Sequence, residues 1–162
     1  MRKIAIVFII GLISIIVVYC FAQWLKPGGS KKVIKDESVL EYVKTIEVYD
    51  KNISSLEVYT QNAVLFFNYK LKNMPQKVIL DDIYNKNYNF IVENEVIKNI
   101  IYSPPSGDYV RSVYIRFTCK EEIYSYEGRK FIYTEHSKIE DNYQRWDVKK
   151  DGMIIDAIIQ GN

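Results

Sequence analysis

One segment near the N terminus constrains the chain more than any other feature. From Ile4 to Leu25 the sequence contains no charged residue, and nearly every residue in the segment is apolar. Roughly 20 consecutive apolar residues are enough for a helix to cross the hydrocarbon core of a bilayer. We therefore predict that residues 1–25 form a signal anchor. Its transmembrane helix, residues 4–25, would hold the protein in the cell membrane with a single pass.

The same segment also has features of an export signal that is removed. Arg2 and Lys3 precede the apolar run, and the small residues Cys20 and Ala22 allow cleavage after Ala22. The run is longer than the usual signal core of about 7 to 15 residues, which favours a retained anchor. Lipidation of Cys20 is disfavoured because the bulky Tyr19 precedes it. Retention is the favoured prediction, and cleavage after Ala22 is the alternative.

Charge is distributed unevenly along the chain. The sequence contains 22 Lys plus Arg and 20 Asp plus Glu, for a formal net charge of +2. The basic excess lies near the N terminus, because acidic residues outnumber basic ones from Asp36 onward. Nucleic-acid binding needs a dense cationic face that releases phosphate counterions. We therefore expect no nucleic acid among the partners.

A basic segment separates the apolar run from the rest. Residues 26–35 contain four lysines, and Pro27 followed by two glycines cannot continue a helix. We predict a basic flexible tether here, leading to a domain over residues 36–162. Positive charge flanks both sides of the predicted span, so the positive-inside rule does not fix the orientation. The short N-terminal tail favours an extracytoplasmic C-terminal domain, and a cytoplasm-facing domain is the alternative.

The first half of the domain is predicted to combine a helix with paired strands. Ser38 and Glu41 form a capping-box pattern, which predicts a helix that ends near Tyr49. Alternating apolar and polar residues from Leu56 to Leu71 then predict a β-hairpin or one long strand with a break.

The next segment is ambiguous. A short helix is predicted over Pro75 to Asn85, because proline suits a first helical turn and apolar residues recur on one face. The apolar runs at 90–92 and 96–102 flank polar residues, which predicts a second hairpin. A single helix from Pro75 to Ile101 is the alternative.

The second half of the domain alternates most clearly and predicts a run of strands. Turns are predicted at Glu127-Gly128, at Asp141-Asn142 and at Asp151-Gly152, the last being the strongest hairpin signal in the chain. The final strand, Met153 to Ile159, is apolar on both faces, which predicts an interior or helix-covered position.

These elements predict an α+β fold. Its mainly antiparallel, curved sheet would carry one or two helices packed on one face. The order of elements resembles that of the cystatin-like and NTF2-like domains.

Motifs for catalysis are absent from the sequence. There is no Gly-rich phosphate loop, no Gly-x-Ser-x-Gly, no His-Glu-x-x-His and no Cys-x-x-Cys. His136 is the only histidine, and strand alternation places it on a solvent face beside Lys130 and Lys138. Cys119 shares a strand face with Val113, which predicts a small core residue rather than a nucleophile. We therefore predict no catalytic, cofactor-binding or metal-binding residue, and no cofactor.

Paired carboxylates and tyrosines are two further classes of candidate site residue. Carboxylates occur in pairs at Asp81-Asp82, Glu121-Glu122 and Glu140-Asp141, but adjacent side chains point in different directions, so solvated surface is the expected state. The 14 tyrosines are abundant and can serve either as contact residues or as half-buried sheet residues. Half-burial is the favoured interpretation for most of them.

The sequence therefore predicts location better than chemistry. We expect a membrane-anchored, extracytoplasmic, non-catalytic binding or assembly module that is accessory to an envelope complex and has a protein partner there. The first alternative is a secreted small enzyme or inhibitor, released by cleavage after Ala22. The second is a membrane-tethered domain that faces the cytoplasm.

Overall fold

The computed structural model describes residues 29–102, 110–133 and 138–160, and shows an α+β fold. The described helices are α1 (Glu37–Tyr49), α2 (Lys77–Glu93) and α3 (Glu95–Tyr102). The described strands are β1 (Lys32–Val33), β2 (Ile53–Gln61), β3 (Val64–Leu71), β4 (Ser112–Cys119), β5 (Glu122–Arg129), β6 (Phe131–Tyr133), β7 (Lys138–Glu140), β8 (Arg145–Lys150) and β9 (Met153–Ile159).

Seven of the described strands form one mostly antiparallel sheet in the order β1-β2-β3-β4-β5-β8-β9. The one parallel pair among them is β3 with β4. Parallel neighbours need a long crossover connection, and α2 and α3 lie in the segment that connects these two strands. Strands β6 and β7 form a separate two-stranded sheet.

The helices and one face of the sheet enclose a single hydrophobic core. Alternate strand residues enter this core, and Trp146 on β8 and Tyr126 on β5 are fully buried. Tyr84 on α2 stacks on the Tyr126 ring at 4.6 Å and meets the Trp146 ring edge-on at 5.3 Å. This helix-covered face contrasts with the opposite face of the sheet, called the open face below.

The two ends of the sheet differ in their connections. One end, called the tether end, contains the β2–β3 turn, and there the Arg111 N–H donates to the Ala63 carbonyl at 2.7 Å. Further across the same end, the Lys130 N–H donates to the Arg111 carbonyl and the Gln160 N–H to the Gln144 carbonyl. The other end, called the distal end, contains the β4–β5 and β8–β9 turns.

The predicted first helix and first hairpin are both present. Helix α1 ends at Tyr49 as predicted, but its N-cap is Asp36, whose carboxylate accepts from the Ser38 N–H at 2.9 Å. The β2–β3 hairpin turns at Asn62 and Ala63, which both have positive φ. Two residues of positive φ give the type I′ geometry that matches strand twist.

The prediction of a second hairpin over residues 90–102 is wrong, because α2 and α3 occupy this segment. The helical alternative is closer, with a break at Asn94. The Asn94 side chain accepts from the Ile97 N–H at 3.0 Å and so caps α3. Asn87 does not interrupt α2, because its side chain is fully buried, donates to the Ile83 carbonyl and accepts from the Tyr69 hydroxyl at 2.9 Å.

The prediction of a turn at Glu127-Gly128 is also wrong. Both residues lie within β5, and the turn before that strand falls at Lys120 and Glu121, where Lys120 has a φ of 53°. Gly128 is needed for packing rather than for turning. A Cβ at this position would come within 2.8 Å of the Trp146 ring on the neighbouring strand.

The predicted tether contributes to the sheet. Lys32 and Val33 pair with Thr60 and Tyr59 of β2, so ordered structure begins before Asp36. None of the helices in the described part of the chain combines the length and apolar character needed to cross a membrane. The predicted span at residues 4–25 lies outside the described residues.

Candidate binding surface

The edge strand β9 carries the most concentrated exposed apolar surface of the described chain. It is the last strand of the seven-stranded sheet. Four of its large apolar side chains are more than half exposed: Met153 at 71%, Ile154 at 58%, Ile155 at 51% and Ile159 at 68%. The prediction that this strand is interior or covered by a helix is therefore wrong.

The outer side of β9 faces no other strand of the described sheet. Because the Gln160 N–H donates to the Gln144 carbonyl at 2.8 Å, the adjacent Ile159–Arg145 pair falls at a non-bonded position of the ladder, where N–H and C=O point away from the partner strand. At Ala157, the next such position, the N–H donates to the Asp156 carboxylate at 2.8 Å. The free edge is thus open at Ile159 and covered by a side chain at Ala157.

A register shift makes the edge irregular towards the distal end. Val148 pairs with Asp156, whereas Lys149 pairs with Ile154, so Ile155 is an extra residue in β9. Bulges of this kind and charged side chains limit uncontrolled pairing of edge strands. The regular, open part of the edge is therefore the part nearest the tether end.

A cleft of about 200 Å³ lies beside the start of β9. Its lining includes Lys77 and Lys150, and Lys150 pairs with Met153 in the β8–β9 ladder. The Tyr124 hydroxyl, in the cleft wall, is buried without a hydrogen-bond partner in the described structure. The remaining lining residues are Met74, Pro75, Leu80 and Ile123.

A charged network connects this cleft to the core. Lys77 donates to both carboxylate oxygens of Asp81, at 3.0 and 2.9 Å, and lies 3.4 Å from Asp156 on β9. The hydrogen bond to Asp81 is the main reason that the pKa of Lys77 is raised. Tyr126 donates to Asp81 at 2.6 Å, and burial followed by this bond raises the pKa of its hydroxyl far above the ordinary value.

The open face of the sheet carries an ion pair whose carboxylate is buried. Lys149 on β8 donates to Glu127 on β5 at 2.6 Å, with side-chain exposures of 18% and 8%. Ser125, buried beside them, donates to Glu127 at 3.1 Å. This arrangement joins β5 and β8 on the open face.

An aromatic row crosses the same face nearer β1. The Tyr59 and Phe66 rings stack at 4.9 Å, and Phe66 meets Tyr114 edge-on at 5.4 Å. The Lys31 ammonium lies 4.3 Å from the Tyr59 ring centroid, and the Arg116 guanidinium lies 5.2 Å from that of Phe66. Tyr59 is only 8% exposed, so this row packs within the domain rather than forming an open platform.

The residues considered from the sequence are not brought together. Cys119 is a buried free cysteine, as predicted, and its sulfur lies 3.5 Å from the Lys72 carbonyl oxygen. His136 lies outside the described residues. Glu121 and Glu122 are exposed as predicted, whereas Asp81 is bonded to the buried Tyr126 and is not merely solvated.

Several described tyrosines are part of the core. Tyr124, Tyr126 and Tyr143 are buried, whereas Tyr102 is 53% exposed. Within residues 29–102, 110–133 and 138–160, no cluster of three or more His, Cys, Asp or Glu residues could hold a metal ion.

No protein-family model, curated protein or solved structure matches this chain. The surface must therefore be interpreted from its own geometry. The sequence shows that β9 is apolar on both faces, but this pattern fits an interior strand and an exposed edge strand equally well. The strand order distinguishes an interior from an edge position.

Proposed function

We propose that the protein is a membrane-anchored, extracytoplasmic, non-catalytic binding module, accessory to an envelope complex, that takes up an extended segment of a protein partner along β9. Residues 4–25 would supply the single-pass anchor in the cell membrane. The cystatin-like or NTF2-like arrangement expected from the element order belongs to this proposal, and the helices on one face of the sheet support it.

The exposed edge strand is the observation that carries the proposal. Large exposed apolar patches on soluble domains mark interaction sites more often than chance surface. Four exposed large apolar side chains lie within the seven residues of β9. Each Ile or Met side chain contributes roughly 1.5–3 kcal/mol when fully buried, so a partner that covers this strand gains substantial free energy.

An added β-strand is the partner geometry that β9 fits best. In strand addition, backbone hydrogen bonds provide affinity and alternate side chains provide specificity. The outward backbone groups of Ile159 supply the first requirement. Isoleucines on the open face, Ile154 opposite Lys149 and Ile159 opposite Arg145, supply apolar contacts beside basic residues.

The cleft beside β9 narrows the chemistry of the partner. An apolar side chain of the incoming segment would contact apolar lining residues such as Leu80 and Met74. Lys77 and Lys150 line the same cleft, so acidic residues next to the apolar one would be favoured electrostatically. We therefore expect a segment in which apolar and acidic residues are neighbours.

The double substitution Ile154→Glu/Ile159→Glu should abolish partner capture. The two glutamates would face Lys149 and Arg145 across the β8–β9 ladder, so the fold should tolerate them. The loss of two apolar contacts and the burial of charge should weaken binding by about 3 kcal/mol or more, roughly a hundredfold. Crosslinking in membranes, followed by affinity purification of the full-length protein, measures the recovered partner.

The matched control is Val48→Glu/Val78→Glu, which removes two exposed apolar residues from α1 and α2 instead. This variant should recover the partner as the unsubstituted protein does. Equal loss in both variants would show that general surface hydrophobicity, and not β9, is responsible. Recovery of monomer alone from the unsubstituted protein would contradict the binding-module proposal.

The orientation has a separate test. Protease added to intact cells should digest the domain if it is extracytoplasmic, because the predicted anchor leaves it outside the membrane. Protection until the membrane is permeabilised would instead favour the cytoplasm-facing alternative. Appearance of the domain in the medium without its anchor would favour release after Ala22.

A further inference from the structure

Asp156 connects the exposed edge strand β9 to a helix. Its backbone pairs with Val148 of β8, whose side chain is fully buried in the core. Paired residues of neighbouring strands project on the same face of a sheet, so the Asp156 side chain starts on the helix-covered face. One oxygen of its carboxylate lies 3.4 Å from the ammonium of Lys77, the first residue of α2.

The same carboxylate also reaches the free edge of β9. Its other oxygen accepts from the Ala157 N–H at 2.8 Å. Ala157 occupies a non-bonded position of the β8–β9 ladder, so this N–H points away from β8. A donor that an added strand would use is therefore already paired within β9.

The regular part of the edge is short, so the loss of one donor is large in proportion. In the described strand, the regular outward positions fall at Ile159 and Ala157. The register shift at Ile155 interrupts the alternation beyond them. An antiparallel strand added here would exchange N–H and C=O groups with both residues. Asp156 withholds one of these two donors, and its carboxylate oxygen would face the carbonyl oxygen of the incoming strand.

The contacts that hold Asp156 are weak enough to be reversed. The hydrogen bond from the Ala157 N–H, followed by the contact with Lys77, lowers the pKa of Asp156, so its carboxylate is charged at neutral pH. The Lys77 and Asp156 side chains are 44% and 51% exposed, and an exposed ion pair shifts an equilibrium by about fivefold or less. Lys77 also has two hydrogen bonds to Asp81, which do not involve Asp156. Release of Asp156 therefore costs little and leaves the Lys77–Asp81 pair in place.

We propose that Asp156 gates the addition of a partner strand to β9. This inference rests on the proposed uptake of an extended segment along this strand. With its carboxylate on Ala157, a segment makes first contact at Ile159 and pairs incompletely. When the carboxylate turns away, the Ala157 N–H becomes available and the pairing extends to it. The contact is autoinhibitory, because it weakens strand addition and limits uncontrolled pairing of an exposed apolar edge.

Amide hydrogen exchange tests the contact itself, on the full-length protein in detergent micelles. Asp156→Ala should raise the exchange rate of the Ala157 amide by about fivefold or more, after correction for the intrinsic rates of the two sequences, because this amide loses its acceptor. The Ile158 amide points towards β8 and should not change. Unchanged exchange at Ala157 in Asp156→Ala would overturn the proposal.

Asp156→Asn separates the hydrogen bond from the charge. Its side-chain oxygen can still accept from the Ala157 N–H, but the charge that attracts Lys77 is gone. Its Ala157 amide should therefore exchange at a rate between those of the unsubstituted protein and Asp156→Ala. Exchange as fast as in Asp156→Ala would show that Lys77 alone holds the carboxylate in place, and exchange as slow as in the unsubstituted protein would remove Lys77 from the gate.

Partner capture tests the consequence of the contact. Crosslinking in membranes at limiting crosslinker should recover about fivefold more partner with Asp156→Ala, since one backbone hydrogen bond is gained and an opposing acceptor is removed. Glu95→Ala is the matched control, because it removes an exposed carboxylate that pairs with Lys98 on α3. This control should recover the partner as the unsubstituted protein does. An equal gain in both variants would attribute the effect to net charge and overturn the gate.

Failure of the gate and failure of the proposed function give different results. Equal or lower recovery with Asp156→Ala, when the unsubstituted protein captures its partner, overturns the gate and leaves the binding module intact. Absence of a captured partner from both proteins overturns the gate together with the binding module. Faster exchange at Ala157 together with higher recovery for Asp156→Ala, but not for Glu95→Ala, supports the proposal.

Discussion

Replacing Trp146 by alanine should lower the free energy of unfolding by about 3–5 kcal/mol, the usual cost of removing a fully buried large aromatic side chain. Trp146 is 0% exposed, donates from its indole to the Tyr143 carbonyl at 2.9 Å and meets the Tyr84 and Tyr88 rings edge-on. Its removal takes away a side chain that joins α2, β5 and β8. Denaturant unfolding of the full-length protein in detergent, followed by circular dichroism, measures the effect.

Gly128 provides the complementary test of this packing. A Cβ at Gly128 would lie 2.8 Å from the Trp146 ring, so Gly128→Ala should cost about 1–3 kcal/mol through overpacking. In a Trp146→Ala background the clash disappears and Gly128→Ala should cost far less. Strictly additive losses in this double-mutant cycle would contradict the contact between the two residues.

Replacing Lys149 by methionine should be the second large destabilisation, about 3–5 kcal/mol, the cost of breaking a buried ion pair. Glu127 would remain buried without its Lys149 partner and would keep the hydrogen bond from the Ser125 hydroxyl. The neighbouring Lys150→Met is the control. The Lys150 side chain is 53% exposed, and its ammonium lies as far as 3.9 Å from the Glu122 carboxylate. Its free energy of unfolding should change by about 0.5 kcal/mol or less.

The double variant Lys149→Met/Glu127→Leu separates the value of the pair from the cost of an unpaired charge. Removing both partners should restore much of the stability, since apolar replacements of a buried ion pair are often neutral. Urea titrations of all four proteins measure this. A loss for Lys149→Met no greater than that for Lys150→Met would show that the Glu127–Lys149 pair is not buried in solution.

Local patterns predicted some elements correctly and misassigned others for physical reasons. The α1 helix and the β2–β3 hairpin follow from capping and alternation over a few residues. The sequence predicts a hairpin at 90–102 because Asn85, Asn87 and Asn89, just before it, disfavour continuation of a helix. Burial of Asn87 with its hydrogen bond to Tyr69 overrides that preference. Gly128 indicated a turn, but its partner Trp146 is a residue on another strand.

The candidate surface was predicted least well, because strand order decides it. An apolar strand can occupy the centre or the edge of a sheet with the same sequence pattern. The exposure of Ile154 and Ile159 depends on β9 being the last strand added, which no local pattern records. The ion pair of Glu127 with Lys149 likewise depends on a register between β5 and β8.

The parallel pairing of β3 with β4, called the seam here, affects the order in which the chain folds. On either side of the seam, strands pair antiparallel with neighbours close in sequence, as in β2–β3 and β4–β5. The seam itself joins Leu65 to Val113 and closes a loop through two helices. Closing this long loop costs conformational entropy before the β3–β4 contacts can stabilise the chain. We therefore expect two locally assembled halves, with their docking at the seam setting the folding rate.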